Sequence, residues 1–217
     1  MIIKRYIIIL LLLVYTANAT TKRDLIEMRT AVFGTLFTLI YYTLNSEKVD
    51  NSDKKYSLLY LKGKEFTSNT FLHDDRVTLS RENSYIVNNE YFKLTSSFEF
   101  SATRWNSKIK NIKKSEEVNL SGYIYSFTPM FRYYFKKLWV DNFKPFLELG
   151  VGVSLMDSTL VEKRDKSTRF QFNDNIGAGF TYGRYIVGYR FIHYSNLGIK
   201  KPNPSIDLHH IYFGFKF

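Results

Sequence analysis

The chain has 217 residues, a formal net charge of +11, 18% aromatic residues and no cysteine. That length suits one domain, and the lack of cysteine excludes disulfides, thiolate metal sites and a cysteine-anchored lipoprotein. A mean hydropathy of −0.23 excludes a polytopic helical membrane protein but not a β-barrel, in which only every second wall residue is apolar.

Residues Met1 to Ala19 read as a secretory signal peptide. Lys4 and Arg5 form the positive start, Ile7 to Val14 the apolar centre, and Ala17-Asn18-Ala19 the small-residue cleavage site. The apolar run is short for a membrane anchor. Losing Lys4 and Arg5 takes the formal charge from +11 to +9. A basic exported protein suits a surface of anionic lipid head groups, and export argues against a nucleic-acid partner. Residues 20–217 are expected to form one barrel domain, its first part, 20–89, the least legible.

Within that part Ala31 to Leu44 is apolar with imperfect alternation, so it is either a first strand or a short helix on a membrane surface. Asn45 to Lys55 is charged and loop-like. Tyr56 to Phe66 and Val77 to Val87 are two further strand candidates, and an eight-stranded barrel needs two of the three. His73, Asp74 and Asp75 form a weak metal-binding pattern, and no metal or other cofactor is expected.

From Tyr91 the period of two is clear, and residues two apart share a face. Tyr91 to Trp105 sets Phe92, Leu94, Phe98 and Phe100 against Lys93, Thr95, Ser97, Glu99 and Ser101. Asn106 to Glu117 reads as a Lys-rich loop. Val118 to Lys136 is a long strand whose Pro129 removes a ladder hydrogen bond, so a bulge or break is expected there. Lys137 to Lys144 is a turn. Pro145 to Leu155 opposes Leu147, Leu149, Val151, Val153 and Leu155 to Phe146, Glu148, Gly150, Gly152 and Ser154. The small and polar row fits a narrow lumen and the aliphatic row fits lipid. Glu99 and Glu148 are expected to pair with Arg132 or Arg190 inside. Met156 to Arg169 is a charged loop, Phe170 to Thr181 another alternating strand, and Gly183 a tight turn. The 17 Tyr and 19 Phe suit the aromatic girdles of an outer-membrane barrel.

The last two strands carry the chemistry. Arg184 to Ser195 puts His193 and Ser195 on its apolar face, the minimum for a hydroxyl nucleophile with a general base. Asn196 to Ile206 is rich in Gly, Pro, Asn and Lys, a loop between antiparallel neighbours. Asp207 then opens the returning strand, level with His193 and Ser195. All three lie on the greasy side, and polar groups facing lipid are costly and functional. His209 shares that side and is expected to pack; His210 points inward. Long loops at one end and short turns at the other make the Asn196 to Ile206 loop extracellular.

The run His193-Tyr194-Ser195-Asn196, Gly198-Ile199-Lys200, Pro202-Asn203, Ile206 and an acid at 207, ending in a strand with a final aromatic, resembles the PagL family of lipid A 3-O-deacylases. The likeness extends to Lys144-Pro145-Phe146, Glu148, Gly150-Val151-Gly152-Val153, Asn173-Asp174 and Ile176-Gly177-Ala178-Gly179, and covers the chain from about Tyr91. It departs at Asp207, where the family usually has Glu. It implies an eight-stranded antiparallel outer-membrane β-barrel that hydrolyses the 3-hydroxyacyl ester at position 3 of lipid A in lipopolysaccharide; that position rests wholly on the resemblance. Ser195 is then the nucleophile, His193 its base and Asp207 the orienting acid. Amides around Asn196, Leu197 and Gly198 are the expected oxyanion donors, with Asn203 supporting the loop. Lys200 and Lys201 are expected to meet lipid phosphates. A homodimer is compatible with the pattern. The alternatives are an outer-membrane phospholipase or acyltransferase and a non-enzymatic structural or adhesive barrel.

Overall fold

The computed structural model describes residues 22–45, 56–66, 72–111 and 116–217. The expected signal peptide, Met1 to Ala19, lies outside them. One helix comes first, α1 (Lys22–Leu44). Eight long strands follow: β1 (Tyr56–Lys64), β2 (His73–Asn88), β3 (Phe92–Asn111), β4 (Glu116–Phe135), β5 (Phe143–Met156), β8 (Phe170–Tyr182), β9 (Tyr185–Ser195) and β10 (Ile206–Lys216). A small hairpin, β6 (Leu160–Val161) and β7 (Arg164–Asp165), interrupts the link from β5 to β8. The long strands close in the order β1-β10-β9-β8-β5-β4-β3-β2, each pair antiparallel. Closure is made by β1 on β10, from Ser57 opposite Lys216 to Lys64 opposite His209. A closed sheet has no free edge, which is what lets strands cross a bilayer.

Alternation sorts the side chains as the sequence requires. Tyr189, Ile211 and Phe213 point out and are exposed, while Arg190, His210 and Tyr212 point in and are buried. The lumen is filled by charge. Arg190 donates to Glu99 at 2.7 Å and to Glu148 at 2.8 Å. Arg132 donates to Glu148 at 2.9 Å, and the Tyr212 hydroxyl adds a bond of 2.9 Å to the same carboxylate. The expected pairing of Glu99 and Glu148 with Arg132 and Arg190 is therefore present. Space is tight enough that a Cβ on Gly188 would come within 2.5 Å of the Tyr212 ring. Outside, aromatic pairs ring the end with short turns: Tyr185 with Phe213, Phe143 with Phe180, and Phe92 with Tyr133.

Several expectations are corrected. Asn106 to Glu117 is not a loop throughout, because β3 runs to Asn111 and β4 starts at Glu116. Met156 to Arg169 contains the β6–β7 hairpin. At Pro129 the expectation of a bulge or break is met by a break: pairing to β5 lapses between Phe127, opposite Val153, and Met130, opposite Gly150, with no change of register. A missing N–H removes a bond without adding a residue. The register shifts fall in β2 instead, between Glu82 and Ser84 and between Tyr85 and Val87.

Of the three N-terminal candidates, Tyr56 to Phe66 contains β1, which ends at Lys64, Val77 to Val87 lies within β2, and Ala31 to Leu44 is helical. Val32, Thr35 and Leu39 are buried on one side of α1, while Phe37, Tyr41 and Leu44 are exposed on the other. Spacings of three and four put each set on one face. Val32 and Leu39 pack on Leu94, Phe131, Val151 and Phe172, which belong to the outward rows of β3, β4, β5 and β8. So α1 lies against the outside of the barrel wall. No helix among the described residues is long and apolar enough to cross a membrane.

Candidate active site

The site forms where β9 and β10 reach the end of the barrel with long loops. Their register makes His193 and Asp207 direct cross-strand partners, on the outward row with Tyr189 and Ile211. His193 Nδ1 lies 2.6 Å from Asp207 Oδ1. That bond occupies Nδ1 and leaves Nε2 for another partner. The other Asp207 oxygen accepts the Ser205 hydroxyl at 3.2 Å, and the Asp207 N–H donates to Glu65 at 3.4 Å. The carboxylate is thus fixed from both ends.

Ser195 closes β9 on the same face, opposite Phe172 of β8, and is 7% exposed. Its hydroxyl makes no hydrogen bond to the His193 ring among the described residues. Residues two apart on a strand are separated by roughly 7 Å at Cα, and catalytic contacts often tighten only with substrate.

A second carboxylate flanks the imidazole, and sequence reasoning does not single it out as a site residue. Asp174 of β8 is directly opposite His193 on the side away from Asp207. Its Oδ1 is buried and has no hydrogen-bond partner among the described residues. The signal is available: Asp174 breaks the apolar row between Phe172 and Ile176 as His193 breaks the row of β9.

The chain beyond Ser195 turns sharply. Ile199 N–H donates to the Asn196 carbonyl at 3.0 Å, and the central residues Leu197 and Gly198 have φ of 51° and 67°. Both are left-handed, the pattern of a type I′ turn. Glycine adopts this freely, but leucine costs about 1–2 kcal/mol. The Asn196 N–H donates to Asn203 Oδ1 at 2.9 Å. That amide is therefore engaged, which corrects its assignment as an oxyanion donor. The amides of Leu197 and Gly198 and the Asn203 Nδ2 remain.

Neighbouring segments brace this loop. Asn196 Nδ2 donates to the carbonyls of Lys166 and Lys200 at 3.0 and 2.8 Å. Ser167 Oγ donates to the Pro202 carbonyl at 2.7 Å, Arg164 donates to the Ser205 carbonyl at 3.1 Å, and the Lys166 ammonium donates to the Pro204 carbonyl. Lys166 is fully buried. Burial, with the Arg164 cation beside it, pushes its pKa down to about 7. From α1, Arg29 donates to the Leu197 and Gly198 carbonyls at 3.0 and 2.7 Å. The Lys200 and Lys201 side chains are exposed at the loop tip.

The other histidines take duller places. His209 meets the Tyr189 hydroxyl at 2.5 Å and packs on Phe66 and Phe191. His210 bonds Asp74 at 2.7 Å inside the lumen. His73 is exposed and Asp74 fully buried, so the trio His73, Asp74 and Asp75 is split between faces and does not converge.

A family model described as Lipid A 3-O-deacylase (PagL) matches residues 75–216. The chain belongs to the PagL family. It is 39% identical over 89 residues to the lipid A deacylase PagL of Pseudomonas aeruginosa, covering 41% of this chain and 50% of that one. It is 34% identical over 90 residues to the lipid A deacylase PagL of Bordetella bronchiseptica, covering 41% and 47%. The chain thus spans about half the length of the curated relatives it matches. A solved structure, the crystal structure of the outer membrane enzyme PagL, superposes with a TM-score of 0.62 at 26% identity, over 74% of this chain and 99% of that one. The protein is an outer-membrane β-barrel. The PagL match starts inside β2, so α1 and β1 lie outside it.

Proposed function

We propose that this protein is a serine esterase of the outer leaflet that removes the 3-hydroxyacyl chain ester-linked at position 3 of lipid A. The observation that carries the reading is the 2.6 Å contact of His193 with Asp207, set beside Ser195 on an outward row of apolar residues. A hydrophilic cluster there is costly in hydrocarbon, and a substrate that is itself a lipid of that leaflet accounts for it. The carboxylate orients the ring and stabilises the imidazolium.

In the first step Ser195 Oγ attacks the acyl carbonyl and its proton passes to His193 Nε2. The carbonyl oxygen becomes an alkoxide, met by donors from the Leu197–Gly198 turn and Asn203 Nδ2. Collapse breaks the bond to the sugar oxygen, which takes the proton from His193 and leaves as the 3-hydroxyl. Water then attacks the acyl-serine, with His193 accepting its proton and returning one to Ser195. The products are the 3-hydroxy fatty acid and a lipid A one chain shorter. Exposed Lys200 and Lys201 suit the lipid A phosphates.

Mass spectrometry of lipid A from cells expressing wild type or Ser195→Ala tests this. Loss of one hydroxyacyl chain with wild type only is expected. An unchanged lipid A with both proteins would favour a non-enzymatic barrel. Lysophospholipid appearing instead would favour a phospholipase.

A further inference from the structure

Helix α1 is an addition to the barrel, since the eight strands close without it. Yet its N-terminal half converges on one feature, the turn directly after Ser195. Arg29 grips two successive carbonyls there, Leu197 through Nε at 3.0 Å and Gly198 through Nη2 at 2.7 Å. Val32, Leu39 and the Leu197 side chain belong to one buried cluster that includes Phe172, the residue opposite Ser195. Phe33 packs edge-on against Phe172 with ring centroids 5.3 Å apart.

The consequence follows from peptide geometry. A trans peptide is planar, and its C=O and N–H point in opposite directions. The Leu197 carbonyl shares its peptide with the Gly198 N–H. Holding that oxygen toward α1 directs the Gly198 N–H away from α1. Holding the Gly198 oxygen likewise fixes the Ile199 N–H, which closes the turn on Asn196 at 3.0 Å. Leu197 sits at φ 51°, a conformation that a leucine keeps only when its surroundings impose it. The planar fork of a guanidinium serves two acceptors at once, as a lysine ammonium does less rigidly.

We infer that α1 is an intramolecular clamp on the active-site turn, and that Arg29 is a positioning residue which aims the Gly198 amide at the oxyanion. The inference rests on the esterase reading above. It makes α1 part of the working enzyme rather than a remnant of export.

The test uses purified full-length protein in detergent micelles with defined lipid A, with heat-dependent gel mobility reporting the folded barrel. Arg29→Ala is expected to lower kcat about ten- to fiftyfold with KM within twofold, because an ill-aimed donor loses part of the roughly 10²–10³ that one oxyanion donor supplies. Arg29→Lys should fall between Arg29→Ala and wild type, and added guanidinium should partly restore Arg29→Ala but not Arg29→Lys. Phe37→Ala, on the exposed face of α1, should match wild type. Hydrogen exchange at Ile199 is the second measurement, and it needs no activity. Its protection should fall at least tenfold in Arg29→Ala. Unchanged protection, or a kcat within twofold of wild type in a folded Arg29→Ala, overturns the clamp. A wild type that leaves lipid A intact would sink the esterase reading, while the exchange result would still decide whether Arg29 holds the turn.

Discussion

Replacing Asp207 by Asn tests the proposed catalytic geometry most directly, because the change keeps shape and removes charge. During attack His193 becomes an imidazolium. At a charge separation of about 4 Å and an effective dielectric constant near 20, its carboxylate partner contributes about 4 kcal/mol. The two side chains are 29% and 27% exposed, so solvent screening removes about half of that, leaving about 2 kcal/mol, or roughly thirtyfold. A second loss is tautomeric. The new side-chain amide would present an N–H to Nδ1 and drive the ring proton to Nε2, where a base is needed. In the general Ser-His-Asp template that amide exchange costs about 10⁴ in kcat. The expected loss here is therefore about 10³, with KM within threefold. Release of 3-hydroxy fatty acid from micellar lipid A measures it, with gel mobility showing that the barrel is folded. Asp207→Glu should keep a tenth or more of wild-type kcat, since the carboxylate survives and the Ser205 hydroxyl at 3.2 Å can follow it. A folded Asp207→Asn protein within tenfold of wild type would refute the assignment of Asp207 as the orienting acid.

Other outcomes follow from the same contacts. Glu148→Ala leaves Arg132 and Arg190 short of a carboxylate in the lumen, so it should cost about 3–5 kcal/mol, read as a lower urea midpoint in vesicles; an unchanged midpoint would show that the lumen charges are not coupled. Lys166, held near pKa 7 against about 10.4 when solvated, binds fewer protons closed than open. The closed loop should therefore gain stability as pH rises from about 7 toward 10, and exchange protection around Asn196, corrected for intrinsic rates, should rise from pH 7 to 9 in wild type and stay flat in Lys166→Met. Gly188→Val should fail to fold, because its Cβ would meet the Tyr212 ring within 2.5 Å; a heat-modifiable band would contradict the packing of the lumen.

Where the period of two holds, the sequence is legible down to single partners. Counting parity from Tyr185 and from Asp207, with a loop between, puts His193 level with Asp207, and the register agrees. The same parity places Glu99, Glu148, Arg132 and Arg190 in one lumen. Legibility fails for three physical reasons. Helix α1 has barrel on one side and exposed Phe37, Tyr41 and Leu44 on the other. A helix apolar on both faces shows no amphipathic period to separate it from a strand. Asp174 escapes notice because its importance lies in the pairing of β8 with β9, and parity within one strand says nothing of its neighbour's register. The Lys-rich hairpin of β3 and β4 reads as a loop since its charge masks the alternation.

One strand wall thus carries two chemistries without mixing them. On β9, Arg190 points inward to Glu99 and Glu148, and His193, three residues on, points outward to Asp207. An odd separation puts them on opposite faces. The lumen pairs stiffen the wall from inside, and α1 and the β6–β7 hairpin brace the outer loop. Inward substitutions such as Glu148→Ala should then move stability before activity. Asp207→Asn and Arg29→Ala should move activity with the barrel intact. If a lumen variant with unchanged stability lost kcat, the two faces would be coupled through the strand, and the division of labour argued from alternation would be wrong.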